Sequence, residues 1–389
     1  MNGVKGPTLR TSKIGRMGDP KNQGKNRAVV KGGPPACGRG GGRSNRRGGG
    51  YYRRSRVRAS LVTRTESSAL KSLYPTFERI GSDPRTYKVG FIDDQGMHVV
   101  EPLFENARPF QCGLGSIKSR NAWGAIDSRG RVRIDPISEL PLRISNNRIV
   151  YQVGGRRGVM DFDGKVIVEP KYRAIGEFRE GVAWMSSKSR YGFISHDGAE
   201  VLSPFYDDAR SFSEGMAPVK LGGKWGFVDE NFDFKVSLRF DFALPFCEGV
   251  ARVKSGNFWG YVDSTGEYRI SPRYVEAREF GQGLAEVKID GKWGYIDHDG
   301  NLVVVPSFRY AGQFKEGLAA VEPYNHPQHH IGFIDRTGRY AISPQYDMVG
   351  EFRNGLCLVE LPEEIAYIDR SGNFVWKGPY VDIGRISEL

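Results

Sequence analysis

Short runs of aromatic and β-branched residues recur along most of this 389-residue chain. They are separated by segments rich in Gly, Asp and Pro. Typical runs are Trp225 to Asp229 (WGFVD) and Leu302 to Val305 (LVVV). Runs of this length and composition are typical of strands, and the Gly and Pro between them would break packed helices. The pattern therefore predicts an all-β fold.

The runs repeat at a fixed period, which indicates a tandem array. A Gly inside the first strand of each repeat recurs every 34 residues, with one interval of 38, at Gly90, Gly124, Gly158, Gly192, Gly226, Gly260, Gly294 and Gly332. Ala366 fills the ninth place. A second Gly follows six residues later in every repeat but the one with Phe232. A Pro twelve residues after the first Gly, and then a Phe, complete the pattern in most repeats.

Each repeat is predicted to form a three-stranded antiparallel meander. The Asp-x-x-Gly element, as in Asp297 to Gly300, is typical of a hairpin turn, because Asp caps the turn and Gly accepts a positive φ. The second strand is expected to stop at Pro306, which cannot continue a hydrogen-bonded ladder. A loop follows, and Leu318 to Glu322 forms the third strand.

Both faces of the first strand are apolar, which predicts that the sheets stack on one another. In Trp293 to Ile296, Trp293 and Tyr295 point to one face and Ile296 to the other. Because the repeat is shorter than the 40–50 residues of known propeller blades, an open superhelical array is favoured. A closed β-propeller is the alternative.

The repeat resembles the WG, or KWG, β-repeat. The resemblance rests on Lys224 to Asp229 (KWGFVD), Lys292 to Asp297 (KWGYID) and the later pattern Pro204, Tyr206, Phe212, Gly215, Ala217, Val219. It covers residues 88 to about 376. Trp occupies its motif position only at 123, 225, 259 and 293, and is replaced by Val89, Arg157, Tyr191, Ile331 and Ile365. The resemblance implies a repeat module and supplies no catalytic residues.

The net charge of +12 divides unevenly along the chain. Residues 1–66 hold 17 Lys and Arg against Asp19 and Glu66, a net charge of +15, so the rest of the chain carries −3. Residues 38–58 interleave Arg with Gly. This composition predicts a disordered basic arm that binds nucleic acid or another polyanion. Its expected contacts are Arg39, Arg43, Arg46, Arg47, Arg53, Arg54, Arg56 and Arg58 on phosphates, and Tyr51 and Tyr52 stacked on bases.

Other chemistry is weakly indicated. The four Cys are far apart and lack a CxxC pair, which argues against a disulfide framework and fits a reducing compartment. His326, His329 and His330 lie close together, but without recognised ligand spacing a loop extension is favoured over a metal site. The recurring Asp and the turn residues His196 and His298 are expected to be structural. We predict no catalytic residue, no metal and no cofactor.

Repeat two is irregular, because Ile144 and Asn147 stand where Phe and Gly are expected. It is either a degenerate neighbour of the end repeats or a face for a partner. Both readings stay open. A basic set lies just upstream: Lys118, Arg120, Arg129, Arg131 and Arg133.

These observations predict three segments: a basic arm (1–66), a linker or N-terminal cap (67–87) and a β-repeat domain of about 8.5 repeats (88–389). The predicted function is a non-catalytic scaffold, with a protein partner on the repeats and nucleic acid on the arm. No membrane span is expected, and the cytoplasm is the predicted location. The alternative is a protein-interaction repeat protein whose residues 1–59 are a targeting leader, which would place it in an organelle.

Overall fold

The computed structural model describes residues 72–325 and 327–382, and all regular elements in these ranges are strands. The basic arm predicted for residues 1–66 lies outside them. The 34 strands form eight antiparallel sheets, and the seven-stranded one is counted here as two, which gives sheets 1 to 9 in chain order. Sheets 7 and 8 share strand β27 and are therefore continuous. No membrane-spanning helix occurs in the described ranges.

The strand bounds follow the repeat. Sheet 1 comprises β1 (Tyr74–Arg79), β2 (Tyr87–Ile92) and β3 (His98–Phe104). Sheet 2 comprises β4 (Asn106–Ala107), β5 (Leu114–Ser119), β6 (Ala122–Asp127) and β7 (Val132–Ser138). Sheet 3 comprises β8 (Arg143–Ser145), β9 (Arg148–Val153), β10 (Arg156–Met160) and β11 (Val166–Tyr172). Sheet 4 comprises β12 (Ala174–Ile175), β13 (Val182–Ser187), β14 (Arg190–Ser195) and β15 (Glu200–Tyr206).

The later sheets have the same order. Sheet 5 comprises β16 (Asp208–Ala209), β17 (Met216–Leu221), β18 (Lys224–Asp229) and β19 (Phe234–Phe240). Sheet 6 comprises β20 (Phe242–Cys247), β21 (Val250–Ser255), β22 (Phe258–Val262) and β23 (Tyr268–Tyr274). Sheets 7 and 8 comprise β24 (Glu276–Ala277), β25 (Ala285–Ile289), β26 (Lys292–Ile296), β27 (Leu302–Ala311), β28 (Ala319–Pro323), β29 (Ile331–Ile334) and β30 (Tyr340–Tyr346). Sheet 9 comprises β31 (Met348–Val349), β32 (Leu356–Glu360), β33 (Glu364–Asp369) and β34 (Phe374–Pro379).

The three-stranded repeat predicted from the sequence is wrong in strand number and in phase. Sheets 2 to 9 each have four strands, and the WG strand is the third of them. The predicted loop contains a short first strand, such as β24. The strand after that loop, such as β25, pairs with the following WG strand, β26. A sheet therefore starts late in one sequence repeat and ends early in the next.

The motif Gly and Pro lie opposite each other at a β-bulge between the third and fourth strands. Trp293 faces Phe308 and Tyr295 faces Val304, so the fourth strand bulges across Gly294. A Cβ on Gly294 would lie 2.6 Å from the carbonyl oxygen of Val304 and 2.8 Å from the nitrogen of Pro306. All eight motif glycines meet a carbonyl oxygen at 2.3–2.6 Å in this way. Pro306 lies inside β27 and does not end it, because the bulge leaves no ladder bond for its nitrogen to make.

The recurring Asp has the predicted structural role. In sheet 7, Asp297 Oδ1 accepts hydrogen bonds from the backbone N–H groups of Asp299 (3.0 Å) and Asn301 (2.9 Å), and Gly300 has φ +80°. The equivalent pair of bonds is made by Asp93, Asp127, Asp161, Asp229, Asp263, Asp335 and Asp369. Phe232 takes the Gly position with φ 63°.

The recurring Phe joins most sheets to the one before. The Phe280 ring of sheet 7 lies 4.9 Å from the Tyr261 ring of sheet 6, and Phe314 of sheet 8 lies 4.9 Å from Tyr295 of sheet 7. The hydrophobic core is accordingly divided into clusters between successive sheets. Burial of both sheet faces, as predicted from the WG strand, is confirmed.

The first and last sheets are also in contact. Tyr367 Oη of sheet 9 donates a hydrogen bond to the Pro75 carbonyl (3.0 Å), and Tyr74 Oη of sheet 1 donates to the Asn354 carbonyl (2.7 Å). One core cluster contains residues of sheets 1, 2 and 9. An open array would leave one apolar face uncovered at each end, whereas this contact buries both. The preference for an open superhelical array is therefore not confirmed: among the described residues the first and last sheets are in contact, as the alternative, a closed β-propeller, requires.

Candidate binding site

One position on the strand that precedes the WG strand in each sheet is not fixed by the fold. It lies opposite the residue that follows the motif Gly. The nine occupants are Pro75, Ser116, Val150, Trp184, Pro218, Arg252, Glu286, Ala320 and Leu358. Neutral residues occupy this position in seven of the nine sheets, so folding does not need the charges of Arg252 and Glu286. These two residues lie in neighbouring sheets 6 and 7.

Glu286 is fully buried, and neither carboxylate oxygen has a hydrogen-bond partner in the structure. Burial is the main cause that raises the pKa of Glu286 to about 7, and the negative charge of Glu279 adds to the rise. The backbone N–H of Glu286 itself acts in the opposite direction, as do the charges of Arg278 and Arg252, although this N–H is not placed to form a full hydrogen bond with either carboxylate oxygen. Burying a carboxyl group without partners costs stability, so this residue is a candidate for a functional role.

Glu286 lines a cavity of ≈ 180 Å³ formed by strands of sheets 7 and 8 and by the loops that follow the first strands of sheets 7 to 9. Its polar lining also includes Arg278, Glu279, Tyr310, Lys315 and Glu351. The Arg278 guanidinium lies 5.1 Å from the Trp293 ring centroid and 5.7 Å from that of Tyr310. These cation–π contacts hold Arg278 beside the cavity.

A larger cavity of ≈ 500 Å³ shares Gln313, Lys315 and Phe352 with the first. It is lined by the loops that join the first and second strands of sheets 6 to 9. The two cavities therefore adjoin, and together they follow the loop side of four consecutive sheets.

Side chains of one loop bind the backbone of the next loop, which fixes this rim. Glu248 of sheet 6 accepts a hydrogen bond from the Gly283 N–H (2.9 Å), and Gln282 of sheet 7 accepts one from Gly317 (2.8 Å). Glu180, Glu214 and Glu316 make the same contact with Gly215, Gly249 and Gly355. The series links sheets 4 to 9 without a break.

Arg252 forms an ion pair with Glu279, one of the carboxylates that line the cavity. Its guanidinium lies 4.5 Å from the Trp259 ring centroid. It donates to the Ala277 carbonyl and pairs with Glu279 at 3.0 Å. Because Glu279 is already paired, Glu286 remains the acceptor with unmet hydrogen-bonding capacity. The cavity can therefore receive a group that carries hydrogen-bond donors, and a cation would favour the ionised form of Glu286.

The structure distributes the residues singled out in the sequence as follows. The predicted nucleic-acid contacts of the arm, Arg39 to Arg58 with Tyr51 and Tyr52, lie outside the described residues. Within the upstream basic set, Arg131 pairs with Asp127 and Arg133 with Asp163, both at 2.7 Å. That set does not line the Glu286 cavity. Cys112, Cys247 and Cys357 are free thiols.

The histidines contact neighbouring sheets and side chains. His298 stacks on Phe280 with ring centroids 4.0 Å apart, and His196 Nε2 lies 2.7 Å from the Asn146 carbonyl. These contacts agree with the structural role predicted for both turns. His329 lies 2.9 Å from Glu322, and His330 lies 3.4 Å from Asp347. Among the described residues no group of three or more His, Cys, Asp or Glu is arranged to hold a metal ion.

The sequence reasoning missed Glu286, although a signal was present. The segment GLAEV differs from GLAAV one repeat later only by an acidic residue at a strand position whose neighbours are apolar. An acidic residue there conflicts with the two apolar faces that the repeat requires.

Comparison with known proteins agrees with the repeat. The WG containing repeat matches residues 90–121, 158–188, 191–225, 225–257, 259–293, 293–322 and 331–361. None of the curated proteins compared with the chain matches it. Among solved structures, a eukaryotic initiation factor has 13% identity over 80% of this chain and 96% of its own, with a TM-score of 0.57. At this identity the likeness concerns the fold alone.

Two other structures are less similar. The dihydro-heme d1 dehydrogenase NirN has 13% identity over 81% of this chain and 74% of its own, with a TM-score of 0.43. Hsv2p of Kluyveromyces lactis has 8% identity over 61% of this chain and 96% of its own, with a TM-score of 0.38. The family repeat, by contrast, matches more than half of the chain. The chain therefore belongs to the family of WG-containing repeat proteins.

Proposed function

We propose that this chain is a non-catalytic binding scaffold whose repeat sheets receive a basic side chain of a protein partner in the Glu286 cavity. The observation that carries the proposal is the buried Glu286 carboxyl group without a hydrogen-bond partner. The fold does not require it, because seven other sheets have neutral residues at the same position. A residue kept at a cost to stability points to a role in binding.

The charges around the cavity favour a cationic ligand group. Three carboxylates, Glu279, Glu286 and Glu351, line it with two cations, Arg278 and Lys315. A Lys or Arg side chain would supply hydrogen-bond donors to Glu286 and replace the water that burial removes. The rim made rigid by the loop-to-loop hydrogen bonds would present the cavity in one fixed shape.

Cross-linking of the full chain in extracts of its native host tests this proposal. We expect a partner peptide containing Lys or Arg to cross-link near sheets 7 to 9 in the wild type. It should be lost in Glu286→Gln and kept in Glu267→Gln, an exposed glutamate on the sheet 6 turn. An identical set of cross-linked peptides in all three proteins would contradict the proposal.

We propose further that the basic arm binds nucleic acid. The support is compositional: Arg alternates with Gly over residues 38–58, and Tyr51 and Tyr52 interrupt the run. Titration of the full chain with single-stranded RNA at several salt concentrations should give an affinity that falls steeply with salt. Replacing the eight arm arginines by Gln should flatten this dependence, and replacing the two tyrosines by Ala should weaken binding less. Unchanged affinity in the arginine variant would overturn this part of the proposal.

We also propose a cytoplasmic location in which the arm is retained. N-terminal sequencing of the protein from its native host distinguishes this from a targeting leader. A start at Met1 or Asn2 supports retention, whereas a start near Ser60 shows that the arm is removed and that the protein is imported into an organelle.

A further inference from the structure

Sheet 3 lacks the tryptophan that precedes the motif Gly in several other sheets. In sheets 5 and 7 the arginine that directly follows the first strand lies over this indole ring. Arg210 is 5.4 Å from the Trp225 centroid, and Arg278 is 5.1 Å from that of Trp293. In sheet 3 the position is held by Arg157. A guanidinium therefore stands where the repeat otherwise places an aromatic ring.

The start of sheet 3 is also rebuilt. Asn146 and Asn147 have φ 43° and 57°, the signature of a tight two-residue hairpin between β8 and β9. This turn replaces the longer loop with its Phe and Gly. A cavity of ≈ 210 Å³ lies at the junction of sheets 2 and 3.

Three arginines line this cavity and no carboxylate does. Arg108 comes from sheet 2, Arg143 from the first strand of sheet 3 and Arg157 from its WG strand. Tyr151 and Gln152 complete the polar lining. The cavity is thus a concentration of positive charge without an acidic residue in its wall, unlike the Glu286 cavity.

The bonds of Arg157 go to neutral acceptors and are long. Its Nε lies 3.5 Å from Gln152 Oε1, and one terminal nitrogen lies 3.4 Å from the Ile175 carbonyl. Burial and the nearby charge of Arg143 both lower the pKa of Arg157, so the site holds like charges close together. An anion that enters the cavity would relieve this repulsion.

We propose that the arginine pocket formed by Arg108, Arg143 and Arg157 binds a dianionic oxyanion of the phosphate type. Guanidinium groups donate paired N–H groups in a fork that matches the oxygens of phosphate. Several guanidiniums around one cavity suit a dianion better than a singly charged carboxylate. This site shares no residue with the Glu286 cavity or with the arm.

Isothermal titration of the full chain with inorganic phosphate, and with acetate as the singly charged comparison, tests the proposal. Phosphate should bind more tightly than acetate. Arg157→Trp, which restores the residue typical of the family, should weaken phosphate binding by at least about tenfold. Arg143→Gln, at an exposed position, should do the same without affecting folding. Arg156→Gln is the matched control, because Arg156 is exposed on the same strand and does not line the pocket.

Two results would overturn the proposal. One is equal phosphate affinity in the wild type, Arg143→Gln and Arg157→Trp. The other is loss of phosphate binding in the variant whose arm arginines are replaced by Gln, because phosphate would then bind the arm. Thermal unfolding of each variant shows whether it is folded. If Arg157→Trp does not fold, Arg143→Gln decides the question.

Discussion

Sheets 7 and 9 differ in how the fourth strand passes the residue at the motif Gly position. In sheet 7, Gly294 lies under a bulge of the fourth strand that contains Pro306. In sheet 9, Ala366 stands in the Gly position and faces Lys377, and the ladder continues in regular register from Glu364 to Tyr367. Gly and Pro are thus absent together. The comparison shows that the bulge goes with the requirement for Gly, and that a sheet without the bulge at this position tolerates a Cβ.

The largest expected effect comes from placing a Cβ under the bulge. Gly294→Ala should destabilise the protein by more than about 3 kcal/mol, because the Cβ would overlap backbone atoms on the neighbouring strand. Ala366→Gly in sheet 9 should cost only about 1 kcal/mol. Chemical denaturation of both variants measures the difference. Similar losses in both would show that the bulge does not set the requirement for Gly.

A second prediction contrasts the buried Glu286 with the neutral residues at equivalent positions. The folded-state pKa of about 7 lies above the ordinary value of 4.5, so the native carboxyl holds its proton while the unfolded one ionises. Stability should therefore fall as pH rises from about 4.5 to about 7, and remain level above that. Glu286→Gln should remove this loss, which amounts to as much as about 3 kcal/mol.

Thermal unfolding of Glu286→Gln and of the wild type between pH 4 and pH 8 checks this. Glu267→Gln, whose side chain is exposed, should follow the wild-type curve. A constant difference between Glu286→Gln and the wild type across the range would mean that burial does not raise the pKa of Glu286 above its ordinary value.

A third prediction compares a hydrogen bond between the first and last sheets with a hydrogen bond between two successive sheets. Tyr367 Oη bonds to the Pro75 carbonyl across sheets 9 and 1, and Tyr295 Oη bonds to the Gly312 carbonyl across sheets 7 and 8 (2.7 Å). Both bonds are buried. Tyr367→Phe and Tyr295→Phe should each cost about 1 kcal/mol in denaturant unfolding. No loss in Tyr367→Phe beside a clear loss in Tyr295→Phe would show that the first and last sheets are apart in solution.

The smallest effect is expected in sheet 5, which keeps the motif Gly but has Leu238 in place of Pro. The bulge across Gly226 is present there, and Leu238 is absent from the ladder pairs. Leu238→Pro should stabilise the protein by about 0.5 kcal/mol, because it restricts the unfolded chain. Precise melting temperatures would detect this, and a clear destabilisation would show that Leu238 makes a bond that the other sheets lack.

Much of the fold was predictable because it depends on short-range rules. The Asp-x-x-Gly turns, the strands around the motif Gly and the apolar faces all depend on neighbouring residues. The short first strand was missed because a two-residue strand such as Ala277 with Glu276 has no periodicity. The Glu286 cavity and the arginine pocket were missed because each combines side chains of neighbouring sheets that are distant in sequence, such as Arg108 and Arg143.

The sequence by itself determined the repeat, its strands, its turns and the separation of a basic arm from a nearly neutral body. The tertiary structure alone decided that sheets 1 and 9 meet, which sheet each strand joins, and where Glu286 and Arg157 lie. The physical reason is the sequence separation of the residues that interact. Turn and strand formation follow from local backbone geometry, whereas closure depends on the angle between successive sheets. Buried charges depend on what the neighbouring sheet places against them.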